Sequence, residues 1–305
     1  MTKLSFHRIK TKYNGLFTKK RQAVSPVLAT VIIFGLIITG VMLTFIQVVP
    51  YIEKAQSEET ISSVQNSFLD LDWTIRSLMS ESGGLGAFRT VLITAPAGRI
   101  TFKEEYHHIS LKMVDQEENE LYSIMESQGI GVLDWIYNSP QSILPRGTTM
   151  YLTGADPYKV RDPVFITGPF AKSGVNTELT NLTLSHQRSD RRHHITLNYR
   201  ISVYITISTN PEPEIRFQIF FIHLSSDFNS IVRSYEQIKI HSLQNVSIPR
   251  TIAINSDVST LDLVWSSGDT QNSLWSTRTI QGLSQVNFFN VIVQTSIFEI
   301  GLSIS

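Results

Sequence analysis

The chain has 305 residues, 42% of them hydrophobic and 17% charged, with 26 basic side chains balancing 26 acidic ones and no cysteine. Lack of cysteine excludes disulfides and thiolate-held metals, so stability must come from a packed core. The charge is unevenly placed: seven basic residues and no acid lie before residue 23, and the remainder carries 19 basic against 26 acidic residues, a balance that argues against nucleic-acid binding.

Lys19, Lys20 and Arg21 close the basic segment, Gln22-Ala23-Val24-Ser25-Pro26 comes next, and Val27 to Val49 is a run of 23 residues without a charge. As a helix this run covers about 35 Å against about 30 Å of bilayer hydrocarbon. Val27, Leu28, Val31, Ile32, Phe34, Leu36, Ile37, Leu43, Phe45 and Val48 are spread along it, which predicts a membrane segment and not a core helix. Basic flanks stay on the cytoplasmic side, so the N-terminus is expected inside and everything beyond Glu53, the first acid, outside. A cleaved secretory signal has an apolar core of about 7–15 residues and a small-residue cleavage site. This run is longer, and it exits through Gln47-Val48-Val49-Pro50. Two readings remain, an uncleaved anchor and a leader cut ahead of the helix.

Arg21-Gln22-Ala23-Val24-Ser25-Pro26-Val27 before an apolar helix resembles the class III leader of archaeal type IV pilins. The resemblance implies cleavage by a prepilin peptidase between Ala23 and Val24, leaving the apolar helix on the mature protein. It also implies partners: the membrane, the peptidase, and further copies or other pilins through that helix. Pro26 would then sit in the first helical turn, where its missing N–H is harmless. Leu28 stands where bacterial pilins carry a glutamate, a departure that fits the archaeal branch.

After Pro50, which predicts a bend, Ile61, Val64, Phe68, Leu71, Ile75 and Leu78 recur at spacings of three and four, marking an amphipathic helix face. Heptad-like spacing suits packing on the chain's own domain as well as packing on neighbouring copies. Ser80 to Gly84 is expected to end the helix. From Val24 to Ser82 it would measure about 90 Å.

Beyond the helix the pattern turns to strands. Phe88 to Thr94 and Arg99 to Phe102, joined through Ala95-Pro96-Ala97-Gly98, predict a hairpin, and Ile109 to Val114 with Leu121 to Met125 a second across Asp115 to Asn119. Ile195, Leu197, Tyr199, Ile201, Val203, Ile205 and Ile207 alternate strictly and read as one long strand, paired with Ile215, Phe217, Ile219 and Phe221 in a core hairpin. Shorter candidates lie at Ile231 to Ile240, Thr251 to Ile254, Leu261 to Trp265 and Val286 to Ile304. The proline-punctuated stretch 138–187 is a candidate internal boundary. A turn, a hairpin, a strand and Arg161-Asp162-Pro163 are also similar to archaeal pilin-like surface proteins with long C-terminal β regions, a likeness that covers residues 19–82 and fades by about 165.

Chemistry-bearing motifs are scarce. No phosphate loop, nucleophile elbow or His-Glu-x-x-His helix occurs, so no catalytic residue, cofactor or metal ligand is assigned. His107-His108 and His193-His194 would point to opposite faces of a strand, which suits joint metal binding badly, and are expected at solvated positions. Trp73, Trp135, Trp265 and Trp275 are expected in the core, with an exposed aromatic patch for glycan as the sharper alternative. Asn181-Leu-Thr and Asn245-Val-Ser are candidate N-glycosylation sites on an exported chain.

The sequence therefore predicts an α+β protein: a leader (1–23), the membrane or assembly half of a long helix (24–49), its amphipathic half (50–82), and an antiparallel, sandwich-like β head (83–305). The expected function is structural, a minor subunit of a pilus-like filament serving adhesion. A membrane-anchored binding domain that never polymerises and an anchored hydrolase are the alternatives.

Overall fold

The computed structural model describes residues 26–80, 86–115, 117–154, 156–157, 161–171, 177–188, 192–208, 214–231, 235–253, 261–267, 270–276 and 290–304. The chain forms two compact units, one ending at Ile52 and one running from Glu53 to Ser305. Helix α1, Pro26–Ser80, is unbroken through Pro50. Ala23, Val24 and the predicted terminator after Ser80 lie outside the described residues.

In the unit from Glu53, the α1 side chains Ile61, Val64, Phe68, Leu71, Ile75 and Leu78 are all buried, joining one core cluster with strand residues. Each such side chain contributes about 1.5–3 kcal/mol by leaving water. Asp72 lies on the same buried face, where Thr180 Oγ1 (2.6 Å) and Tyr199 Oη (3.0 Å) donate to its Oδ1 and Arg76 Nη2 lies 2.6 Å from Oδ2. Burial nevertheless raises its pKa, because a carboxylate away from water is costly even with partners.

Among the described residues the helix is succeeded by fourteen strands. They are β1 (Phe88–Thr94), β2 (Arg99–Val114), β3 (Glu120–Tyr137), β4 (Thr148–Tyr151), β5 (Val164–Thr167), β6 (Thr180–His186) and β7 (His193–Tyr199). After these come β8 (Ile201–Ser208), β9 (Glu214–Ser226), β10 (Ser230–Ile231), β11 (Tyr235–Ala253), β12 (Asp262–Ser267), β13 (Thr270–Ser276) and β14 (Asn290–Ile304). One sheet has the order β1-β11-β14-β9-β8-β5, and the other β13-β12-β2-β3-β7-β6-β4, with β10 added beside β2. The second sheet is antiparallel throughout its described pairs, whereas the first is mixed: β14 runs parallel to β9 and β5 parallel to β8.

Long strands serve two cores. Ile100, Phe102, Leu133, Trp135, Ile222, Leu224, Ile300 and Leu302 belong to the cluster that holds the helix stripe. Farther along the same strands, Ile109, Leu111, Met113, Ile130, Phe217, Ile219, Val291 and Val293 join a second cluster with β8, β12 and β13, drawn from both sheets. At Gly131 a Cβ would collide with the Leu224 carbonyl, so glycine permits this close approach of β3 and β9.

Two predicted pairings are corrected. The β1–β2 hairpin does not form, because β1 pairs with β11 in one sheet and β2 with β3 in the other; Pro96-Ala97-Gly98 carries the chain between sheets. The run from Ile195 to Ile207 is two strands. It breaks at Arg200, with β7 in one sheet and β8 in the other, and only β8 pairs with β9. Arg200 is buried at this crossing, donating from Nε to the Asp162 carbonyl (2.6 Å) and from Nη1 to the Glu178 carbonyl (2.9 Å) with its guanidinium over Phe165. Desolvation and the neighbouring Arg161 lower its pKa to about 10, so it stays charged. The β2–β3 hairpin is present and longer than predicted, its turn closed by Asp115 Oδ1 accepting from the N–H groups of Glu117 and Asn119.

Candidate functional site

The apolar half of α1 is one candidate surface. Val27, Leu28, Val31, Ile32, Phe34, Leu36, Ile37, Leu43, Phe45 and Val48 are all exposed, from 43% at Val48 to 72% at Val27. This is a helix long and apolar enough to cross a membrane, and none of its most hydrophobic stretch is buried. Its threonines are satisfied locally: Thr30, Thr39 and Thr44 each donate to the carbonyl four residues back, at 2.7–2.9 Å. In hydrocarbon no water can satisfy a hydroxyl, so this back-bonding fits a lipid-facing helix.

A second surface lies on the head. On β6 and β7 the side chains that alternate with core-facing Leu182, Leu184, Ile195 and Leu197 are Asn181, Thr183, Ser185, His194, Thr196 and Asn198. The register sets Asn181 opposite Asn198 and Thr183 opposite Thr196. Thr149 of β4 continues the row beside Ser185. On β2 the register jumps between Lys103 and His107, which pairs Lys103 with Val132 but His107 with Ile130, so Glu104, Glu105 and Tyr106 bulge out of the ladder. Tyr106 and His107, in edge contact at 4.4 Å, border an open groove of about 520 Å³ whose other walls are these β4, β6 and β7 side chains.

Among the described residues that line the groove, one carries a guanidinium, Arg188. Arg188 lies over Gly147, whose φ of +78° and lack of a side chain make room for it; a Cβ there would collide with Arg188 Nε. Thr196 Oγ1 donates to Asp134 Oδ1 (3.3 Å), and His194 Nδ1 lies 3.1 Å from Asp134 Oδ2, so a buried carboxylate–imidazole pair borders the hydroxyl row. At the strand ends His186 stacks on His193 with ring centroids 4.5 Å apart. Burial, reinforced by the two neighbouring histidines, lowers the pKa of His193 to about 4 and keeps it neutral. Asn181 and Asn198 line the groove, but their Oδ1 atoms are enclosed and accept no hydrogen bond from the described residues.

Several expectations change. His193 and His194 are buried, not solvated, while His107 and His108 are exposed and His108 Nε2 lies 3.7 Å from Glu105. Trp135, Trp265 and Trp275 are core residues, but Trp73 is 63% exposed because it falls off the buried face of α1. Candidate acceptor Asn181 is the second residue of β6 and half-buried, and Asn245 lies in β11 opposite Phe298. Among the described residues no group of three or more metal-ligating side chains occurs. Sequence reasoning missed the groove: its hydroxyls and amides come from several strands and look individually like ordinary outward positions. The bulging Glu104-Glu105-Tyr106, opposite a β3 stretch that contains Gly129 and Gly131, was the available signal.

Comparison of the chain with protein-family models, with curated proteins and with solved structures returns no match.

Proposed function

We propose that the chain is an archaeal type IV pilin-like surface protein with a sandwich-like head outside the cell, a structural subunit and not an enzyme. The reading is carried by one observation: a single helix is apolar and uncovered in its first half and presents a stripe to the head's own core in its second. A helix built this way gives the domain a stalk and leaves an apolar surface for lipid or for other helices. The junction Ala23-Val24-Ser25-Pro26 supports cleavage ahead of that surface. Assembly would exchange lipid contacts for contacts with like helices. On the exposed half, Ile37, Gly40, Val41, Thr44, Phe45 and Val48 line one shallow apolar groove, with open space beside Gly40 for a neighbouring side chain.

N-terminal sequencing of the protein from its native membrane tests the proposal. A start at Val24 supports prepilin processing. An intact Met1 overturns it and leaves an anchored binding domain that does not polymerise.

A further inference from the structure

We infer that the open edge of β1 pairs with the β1 edge of a second copy of this chain anchored in the same membrane, antiparallel and centred on Thr90. The other sheet ends are blunted: β4 and β5 have four residues each, and β13 bulges where Leu274 drops out of its pairing with β12. By contrast, β1 has seven residues in unbroken register with β11 and contains no proline. Its one charge, Arg89, stands on the opposite face from Phe88, Thr90 and Leu92.

Hydrogen-bond alternation identifies the free groups. Ser242 N–H donates to the Ala87 carbonyl (2.9 Å), so the odd-numbered residues of β1 bond to β11 and the even-numbered ones turn their N–H and C=O groups outward. Thr94 follows this pattern: its outward N–H donates to Ser67 Oγ of α1 (3.0 Å), which also lies 3.4 Å from its carbonyl. Among the described residues nothing meets the outward groups of Phe88, Thr90 and Leu92. Phe88 is 58% and Leu92 54% exposed, and Tyr235 and Leu243 on the neighbouring β11 are exposed as well.

A second β1 satisfies this edge in one register. Centring on Thr90 sets Phe88 opposite Leu92 and Thr90 opposite Thr90, each pair exchanging both N–H···O=C bonds. Each exposed phenylalanine then meets an exposed leucine, and Arg89 faces Val91, so no charge directly opposes its like. A centre at Leu92 would need Thr94, already bonded to α1, and a centre at Phe88 would need Gly86, whose N–H donates to the Ser242 carbonyl (3.0 Å). Contact size selects the occupant. Phe88, Thr90 and Leu92 are few beside the roughly 20–30 residues a side of a stable soluble interface, so a free peptide or soluble protein would bind weakly. A copy held by its own α1 in the same bilayer is present at high effective concentration. The inference therefore rests on the membrane reading of α1, and not on leader cleavage or filament assembly.

The chain has no cysteine, so single cysteine substitutions report without background. Full-length Thr90→Cys in phosphatidylcholine vesicles, oxidised with copper phenanthroline, should form disulfide dimers, because an opposed hydrogen-bonded pair has Cα atoms about 5.5 Å apart, within disulfide reach. At least fivefold less dimer is expected from Thr149→Cys, exposed on the β4 edge. The same holds for Phe88→Cys or Leu92→Cys alone, whose copies lie about 14 Å apart in this register. Mixing Phe88→Cys with Leu92→Cys chains should restore the cross-link. Adding Thr90→Pro to both should lower it at least tenfold while keeping the melting temperature, since an edge proline is tolerated where its N–H would face outward. Flotation of the vesicles reads the anchoring separately. Protein that fails to float defeats the membrane reading and the inference with it. Protein that floats but cross-links no better at Thr90 than at Thr149 overturns the inference alone and leaves the edge to a strand of another protein. Equal cross-linking by the Thr90, Phe88 and Leu92 single variants overturns it too.

Discussion

The two halves of α1 share a secondary structure and differ in where their apolar side chains go. Before Pro50 they ring the helix and none is buried; from Ile61 to Leu78 they form one stripe, and every member of it is buried. The difference is one of angular distribution. A ring of apolar residues has no polar side to show to water and suits lipid or a bundle of like helices, whereas a stripe suits a single facing core. The Asp72 anchor sharpens the contrast, because a carboxylate held by Thr180 and Tyr199 fixes the second half in one rotation. No side-chain hydrogen bond to a distant residue engages the first half among the described residues.

The strongest test of this contrast compares two phenylalanines. Phe68→Ala should cost about 3–5 kcal/mol of head stability, the usual result of emptying a packed aromatic site. Phe34→Ala should change it by less than about 0.5 kcal/mol. Denaturant melts of the full-length protein in micelles measure both, and equal effects would break the distinction. Next in size, Leu36→Arg should disfavour membrane insertion by about 3–4 kcal/mol, the translocon-scale cost of a mid-span arginine together with the loss of leucine's favourable contribution. The readout is carbonate-resistant membrane association, and retention at wild-type level would mean the segment is not a span.

The smallest effect concerns Asp72. Its raised pKa means that above the ordinary carboxylate value of about 3.9 the folded state holds its proton more tightly than the unfolded chain. Stability from this group is therefore present at low pH and lost as pH rises through the folded pKa. Asp72→Asn keeps an acceptor for Thr180 and Tyr199 without the charge. Melting temperatures of the two proteins, measured side by side, should diverge in favour of the asparagine variant as pH is raised from 4 to 7. A flat or falling difference would mean that Arg76 outweighs desolvation.

What was legible in the sequence came from local pattern. The charge-free run and the three-four spacing of the stripe located the helix, and strict alternation located β8 and β9. The errors share one cause. Alternation continues through Arg200 even though the chain changes sheets there, because inward residues on both sides of the crossing remain apolar. The turn after Thr94 has hairpin chemistry, yet β1 finds its partner at Tyr235 to His241, far along the chain. A period of two says which side chains face inward and nothing about which sheet they enter.

By itself, then, the sequence determined a helix of membrane length, an amphipathic continuation, the β character of the head and the positions of several strands, since each depends on residues close in the chain. Only the tertiary structure decided the parallel pairing of β9 with β14, the burial of Asp72, Arg200 and the histidine pair, and the polar groove. Each of these is set by which distant segments come to lie side by side. Asn181 and Asn198, 17 positions apart in the chain, become neighbours only when the register of β6 on β7 puts them face to face.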